Sequence, residues 1–342
     1  MIGCQTIAAA LAALNAEAGA SYTCAEAGAD LAVARDTETA QHFVEAATTG
    51  RERFETLFGR TPPPSAVILG NRAMSSLAAG LEAGGHSVVL PWVDHSEQDA
   101  LLAERIRAQI VAQSPGLPEA QLDALVAQAL PAARSEPMDP SLEKAAIAHE
   151  FGHLWYLDAY WASDAEGSAH YGGHAPDWLD EAAAVALEFG PMVDSRRASL
   201  LGDDGTPPIG LGEFLTMDHP MATIARAAAE RSTADLPEGV PAGARVVRLT
   251  GDEADALLAQ ASVPPAAFYS MAQGFLDYLD DRTGSEPLPE ITGWLLNGGS
   301  FETWLAGPGA ALGLPADMAG LEADWANWLA ERHAGDDGVQ RP

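Results

Sequence analysis

The chain has 342 residues and a formal net charge of −31, because 49 acidic residues outnumber 18 basic ones. A surface this acidic repels nucleic-acid backbones and anionic membranes, so we expect neither as a partner. Hydrophobic residues make up 47% of the chain and charged residues 20%, which is typical of a folded globular protein and excludes a disordered one.

Residues 1–24 allow two interpretations. The apolar run at residues 6–14, followed by small residues, resembles the middle of an export signal, although the usual positive charges before it are missing. The alternative is a plain N-terminal amphipathic helix. The run is too short to span a bilayer, and we expect no integral membrane span. We favour export, to the periplasm or the medium, over a cytoplasmic location, and export would allow a disulfide between Cys4 and Cys24.

Residues 25–135 alternate helical and extended patterns, which predicts a small α/β lobe. Its predicted elements are a helix at residues 36–59, strands at 65–69 and 86–93, and helices at 101–113 and 119–130. The strand at 86–93 is the candidate for an edge strand. Pro91 limits the hydrogen-bond ladder of this strand to part of its length. The alternative is that the strand lies inside the sheet.

The most specific motif lies in a helix predicted at residues 142–160. His149 and His153 are four residues apart, so they share one helix face and reach the same ion. Glu150 points to a neighbouring face, from which its carboxylate can take a proton from a metal-bound water without being a ligand. The apolar flanks indicate a mostly buried helix, and buried histidines need polar partners or a metal.

A third ligand is expected, because catalytic zinc usually has three protein ligands. Glu181 is the best candidate, since it falls in the first turns of a second helix, predicted at residues 178–189 with Asp177 as its N-cap. Glu188 lies two helical turns further on the same face. His170 and His174, in the segment between the two helices, are competing ligands.

An HExxH motif followed by a Trp-Leu-x-Glu helix resembles the gluzincin metallopeptidases. These form the thermolysin and aminopeptidase-N superfamily, and the likeness is greatest to its small bacterial peptidase MA-like members. The resemblance implies that His149, His153 and Glu181 bind zinc and that Glu150 is the general base. Two features depart from the family pattern: Ala182 replaces the usual glycine, and 27 residues separate His153 from Glu181.

The resemblance also implies roles for two further residues. Glu188 would orient a ligand imidazole, with a solvated helix acid as the alternative. Tyr269 lies in a segment similar to the helix that carries the transition-state tyrosine of the family. Its phenol would donate a hydrogen bond to the developing oxyanion. A tyrosine that anchors a helix start is the alternative.

The implied fold class is α+β. The small α/β lobe, with a mixed sheet and its edge strand, would lie over a mostly helical lobe at residues 140–335, and the active-site cleft would lie between them. In the family an edge strand above the zinc pairs with an extended substrate. Residues 191–252, rich in Gly, Pro and Asp, are expected to form a lid or binding loop.

The predicted function is a zinc-dependent peptidase that acts on a peptide or protein substrate. Zinc-activated water attacks the peptide carbonyl while Glu150 takes the proton. Two alternatives stay open: a non-catalytic, zinc-stabilised binding protein on a gluzincin scaffold, and a hydrolase of a non-peptide amide. The residues that set substrate preference are not identified by the sequence.

Overall fold

Helices dominate the described part of the chain, and a small mixed sheet accompanies them, which gives an α+β fold. The structure is a computed structural model, and it describes residues 3–18, 21–134, 137–161, 174–202, 205–222 and 263–339. The described residues fall into two units. The first contains the residues up to Glu45 and Pro64–Glu143, and the second contains Ala46–Pro63 and the residues from Lys144 onward. The α+β class and the mixed sheet predicted from the sequence are confirmed.

The sheet belongs to the first unit and has the order β1-β2-β3-β4. Its strands are β1 (Thr23–Ala27), β2 (Asp30–Ala34), β3 (Ser65–Leu69) and β4 (Val88–Trp92). The β1–β2 pair is an antiparallel hairpin that the sequence reasoning missed, whereas β3 runs parallel to β2 and β4 runs parallel to β3. Within the described residues β4 is an edge strand, with Pro91 opposite Ile68.

The helices of the first unit are α1 (Cys4–Ala18), the first part of α2 (Thr37–Phe58), α3 (Asn71–Ala83), α4 (His95–Gln113), α5 (Glu119–Ala133) and the first residues of the helix that begins at Pro140. Helix α1 contributes Ile7 and Leu14 to a core that also contains Leu77 and Leu81 of α3. A disulfide joins Cys4 of α1 to Cys24 of β1. The apolar run at residues 6–14 therefore lies in a packed helix.

The second unit is helical. Its elements are α6 (Pro140–Tyr160), α7 (Asp177–Val185), α8 (Pro191–Ala198), α9 (Leu211–Phe214), α10 (Pro265–Thr283), α11 (Leu288–Leu296), α12 (Phe301–Trp304), a π-helical turn (Leu305–Gly309) and α13 (Met318–Val339). Helix α7 is the innermost of these, because all nine of its residues are buried. Aromatic contacts surround it: Trp178 packs edge-on against Phe275 of α10 and against Phe301 of α12.

Helices α6 and α7 approach closely at Gly152. A Cβ added to Gly152 would lie 2.6 Å from the Cα of Ala184, so a glycine is the residue that lets the two backbones meet there. Ala184 is one helical turn after Glu181, and Gly152 lies between His149 and His153 in the sequence. This contact therefore sets the distance between the histidine-bearing helix and the carboxylate-bearing helix.

Two predicted helix boundaries are wrong. Helix α4 begins at His95 instead of residue 101, because the Asp94 side chain accepts from the backbone N–H groups of Ser96 and Glu97 and caps it there. Helix α7 ends at Val185 instead of residue 189. The backbone then tightens into i→i−3 bonds, from Leu187 N–H to Ala184 and from Glu188 N–H to Val185.

None of the described helices is both long enough and apolar enough to pass through a bilayer.

Candidate metal centre

Three potential ligand atoms converge between α6 and α7. The Nε2 atoms of His149 and His153 are 3.2 Å apart. The Glu181 carboxylate faces both rings, with Oε1 3.6 Å from His149 Nε2 and Oε2 3.7 Å from His153 Nε2. Among the described residues these three side chains form the group whose atoms are close enough to hold one metal ion.

The spacing of these atoms fits a tetrahedral zinc site. Zinc–nitrogen and zinc–oxygen bonds of about 2.0–2.2 Å place two ligand atoms of a tetrahedron about 3.3–3.6 Å apart. The two Nε2 atoms are 3.2 Å apart, and the Glu181 carboxylate lies 3.6 Å from His149 Nε2 through Oε1 and 3.7 Å from His153 Nε2 through Oε2. Two imidazoles and one carboxylate are also the donor set of many catalytic zinc sites. The residues present therefore fit the ion that the gluzincin resemblance implies.

Each histidine is oriented by a carboxylate on its other ring nitrogen. His149 Nδ1 lies 2.9 Å from Glu188 Oε1, and His153 Nδ1 lies 3.0 Å from Asp180 Oδ1. A carboxylate only accepts hydrogen bonds, so these contacts favour a proton on each Nδ1, and in the neutral form of either ring the Nε2 then presents a lone pair. Two lone pairs that face each other repel unless a cation or a proton lies between them.

The Glu181 carboxyl group is almost fully buried, with 1% of its side chain exposed. Burial alone would raise its pKa, but the His149 ring and a hydrogen bond from His219 outweigh burial and lower the pKa to about 2. Glu181 is therefore a carboxylate at neutral pH. Burial likewise opposes the charged form of His153, yet the adjacent Asp180 and Glu181 raise its pKa to about 10.

Glu188 links the candidate ligands to a cation. Burial tends to raise its pKa, but its contacts with His149 and Arg196 lower it. Arg196 of α8 reaches Glu188 Oε1 with Nη2 at 2.9 Å and Oε2 with Nε at 3.1 Å. The same guanidinium lies 4.7 Å above the centre of the Tyr269 ring. Glu188 reaches this position from the tight turn after α7. The continued helix that the sequence predicted there is not required.

The two predicted catalytic side chains lie beside the histidine pair. Tyr269, near the start of α10, has its ring centre 5.9 Å from that of His149. Glu150 is exposed on α6, and its charge contributes to the raised pKa of His153. An exposed acid next to buried ligands can exchange protons with solvent, which a general base requires.

Sequence reasoning missed three residues of this cluster. They are Asp180, Arg196 and His219. His219 is buried, lies 38 residues after Glu181, and places its Nε2 3.2 Å from Glu181 Oε2. No local sequence pattern predicts that His219 contacts Glu181, because only the packing of the chain segment after α9 brings His219 to α7.

The remaining predicted site residues lie elsewhere. His174 is exposed and is not part of the converging group within the described residues. His170 falls outside the described residues, and so does most of the predicted lid or binding loop at residues 191–252. The described part of that loop includes α8 and α9, which supply Arg196 and precede His219.

A scan against protein-family models, a search of curated proteins and a search of solved structures each gave no match. The resemblance to gluzincins therefore rests on the residues and spacings given above.

Proposed function

We propose that the chain is a zinc-dependent peptidase of the gluzincin type. The observation that carries this proposal is the pair of imidazoles whose Nδ1 atoms lie beside Glu188 and Asp180 while both Nε2 atoms lie within 3.7 Å of the Glu181 carboxylate. A structural role alone does not require three buried ligand atoms of this type at coordination distance with an exposed acid beside them.

Each residue of the site would have a distinct task. His149, His153 and Glu181 would hold the ion. Bound zinc supplies Lewis acidity, which lowers the pKa of water to about 7 and polarises a carbonyl. Glu150 would take the proton of the attacking water and pass it to the leaving amine. Tyr269, held under Arg196, would donate its phenol proton to the oxyanion.

A peptide is the proposed substrate. The outer edge of β4 is not paired with any described strand. Pro91 in this strand has no backbone N–H to donate. An extended peptide can add to such an edge by main-chain hydrogen bonds. The cleft between two lobes, which the resemblance implies, stays a prediction.

Export is proposed on separate grounds. The Cys4–Cys24 disulfide supports an oxidising compartment, because cytosolic thiols are kept reduced in most organisms. We therefore place the working protein in the periplasm or the medium.

The proposed function is tested by Glu150→Gln, with Asp158→Asn as the matched control. Both acids are exposed on α6, but Asp158 lies about two turns after Glu150 and outside the motif. We expect Glu150→Gln to keep one zinc per chain and to lose cleavage of a fluorogenic peptide library, whereas Asp158→Asn keeps both. Wild-type cleavage should be stopped by a chelator and restored by zinc.

Two results would contradict the proposal. Wild-type cleavage rates in Glu150→Gln would remove the assigned base. A zinc-loaded wild-type protein that cleaves no peptide would favour the zinc-stabilised binding protein or the non-peptide amidase instead.

A further inference from the structure

Hydrogen bonds and a ring contact hold His219 next to α7. Its backbone N–H donates to Asp177 Oδ2 at 2.7 Å, at the first turn of α7. Its ring packs edge-on against Phe268, with ring centres 4.9 Å apart. The residue is 3% exposed. These contacts hold the His219 ring beside Glu181.

The hydrogen bonds of His219 define which ring nitrogen carries the proton. Its Nδ1 accepts from the backbone N–H of Met221 at 3.1 Å. An accepting Nδ1 is unprotonated, so the proton is on Nε2. Nε2 lies 3.2 Å from Glu181 Oε2 and therefore donates to it. His219 acts on the carboxylate as a donor and does not offer a lone pair to an ion.

The two oxygens of Glu181 consequently differ. Oε2 accepts a hydrogen bond from His219, whereas Oε1 is buried and has no hydrogen-bond donor among the described residues. Oε1 lies 3.6 Å from His149 Nε2, and Oε2 lies 3.7 Å from His153 Nε2. A buried carboxylate oxygen without a donor is costly unless a cation compensates it.

We infer that His219 is a positioning residue that occupies Oε2 and so makes Glu181 a ligand through Oε1 alone. The inference rests on the proposed zinc site. A carboxylate that binds through one oxygen leaves a three-ligand zinc with an open position for water or substrate, whereas two-oxygen binding would fill that position. His219 thereby preserves the position at which the chemistry takes place.

The test compares three substitutions in the full-length protein. His219→Leu removes the donor, His219→Gln restores an N–H near the position of Nε2, and His219→Asn keeps an amide that is too short to reach Glu181. Tyr278→Phe is the control, because it removes a different buried hydrogen bond, the one to Asp324, in the same unit. Zinc affinity is measured by competition with a chromophoric chelator, and Co²⁺ replaces zinc for visible spectroscopy.

We expect His219→Leu and His219→Asn to bind zinc roughly 10- to 100-fold more weakly, because removing the hydrogen-bond partner of a metal ligand typically lowers metal affinity by that factor. Their Co²⁺ forms should lose visible absorption intensity, because a second carboxylate oxygen raises the coordination number. His219→Gln should regain most of both properties. Tyr278→Phe should lower thermal stability without changing the affinity or the spectrum.

The outcomes separate this inference from the proposed function. Wild-type affinity and spectra in all His219 variants, with zinc bound, would overturn the role of His219 alone. Equal loss in His219→Gln and His219→Asn would overturn it too, because the restored donor then has no effect. If His219→Leu does not fold, the comparison between Gln and Asn still decides. A wild-type protein that binds neither zinc nor Co²⁺ would overturn the proposed function itself.

Discussion

Gly152→Ala tests whether the close approach of α6 and α7 sets the geometry of the site. The added Cβ would lie 2.6 Å from the Cα of Ala184 and 3.3 Å from its Cβ. Carbon atoms in comfortable contact are about 3.5–4.0 Å apart, so the two helices must separate locally by about 1 Å. The nearest obstacle is backbone, and no side-chain rotation relieves it.

The expected cost follows from that displacement. Overpacking of a buried contact destabilises by about 1–3 kcal/mol. Metal–ligand distances tolerate changes of only about 0.2 Å, so a shift of about 1 Å between the histidine helix and the Glu181 helix also weakens zinc binding. We expect a loss of affinity of at least about tenfold, comparable to the loss of a supporting partner.

Gly293→Ala is the matched control, because a Cβ at Gly293 of α11 meets nothing within 4 Å. It gains about 0.5–1 kcal/mol of helix propensity without a clash. Urea unfolding of the zinc-free proteins should therefore find Gly152→Ala less stable than Gly293→Ala by about 1–3 kcal/mol. Equal stability of the two variants, or unchanged zinc affinity in Gly152→Ala, would refute the reasoning.

Three further predictions concern the site. Glu188→Gln should weaken zinc binding about 10- to 100-fold in a chelator competition, because His149 loses its charged partner; unchanged affinity would contradict this. Tyr269→Phe should keep its zinc but lower kcat by about 100- to 1000-fold if its phenol is the oxyanion donor, and wild-type kcat would exclude that role. The His153 ring has a pKa of about 10, so zinc must displace a proton from it at neutral pH. The apparent zinc affinity should therefore rise about tenfold per pH unit between about pH 6 and 8. A zinc affinity that does not change with pH would contradict the raised pKa.

The part of the site that lies within one helix could be predicted from the sequence. His149 and His153 share a face because they are four residues apart, and that relation holds in any α-helix. Glu181 was found because Asp177 and Pro176 mark a helix start just before it. The strand at 65–69 was found for a similar reason, since a short apolar run after three prolines has few other folds available.

The interactions that depend on long-range packing could not be predicted. Nothing in the sequence around His219 indicates that its ring donates to a carboxylate 38 residues earlier. The role of Asp180 could not be predicted either, because its contact with His153 depends on how α6 and α7 cross. The end of α7 was misplaced for a different reason: residues 186–189 have ordinary helix propensity, yet the helix ends at Val185 and Glu188 lies beside His149.

Elemental analysis of the purified protein tests the central claim most directly. The account predicts one zinc per chain in the wild-type protein and far less in Glu181→Ala, with both proteins folded by circular dichroism. A folded wild-type protein that stays free of zinc after incubation with the metal, or a Glu181→Ala variant that retains one zinc per chain, would contradict the account.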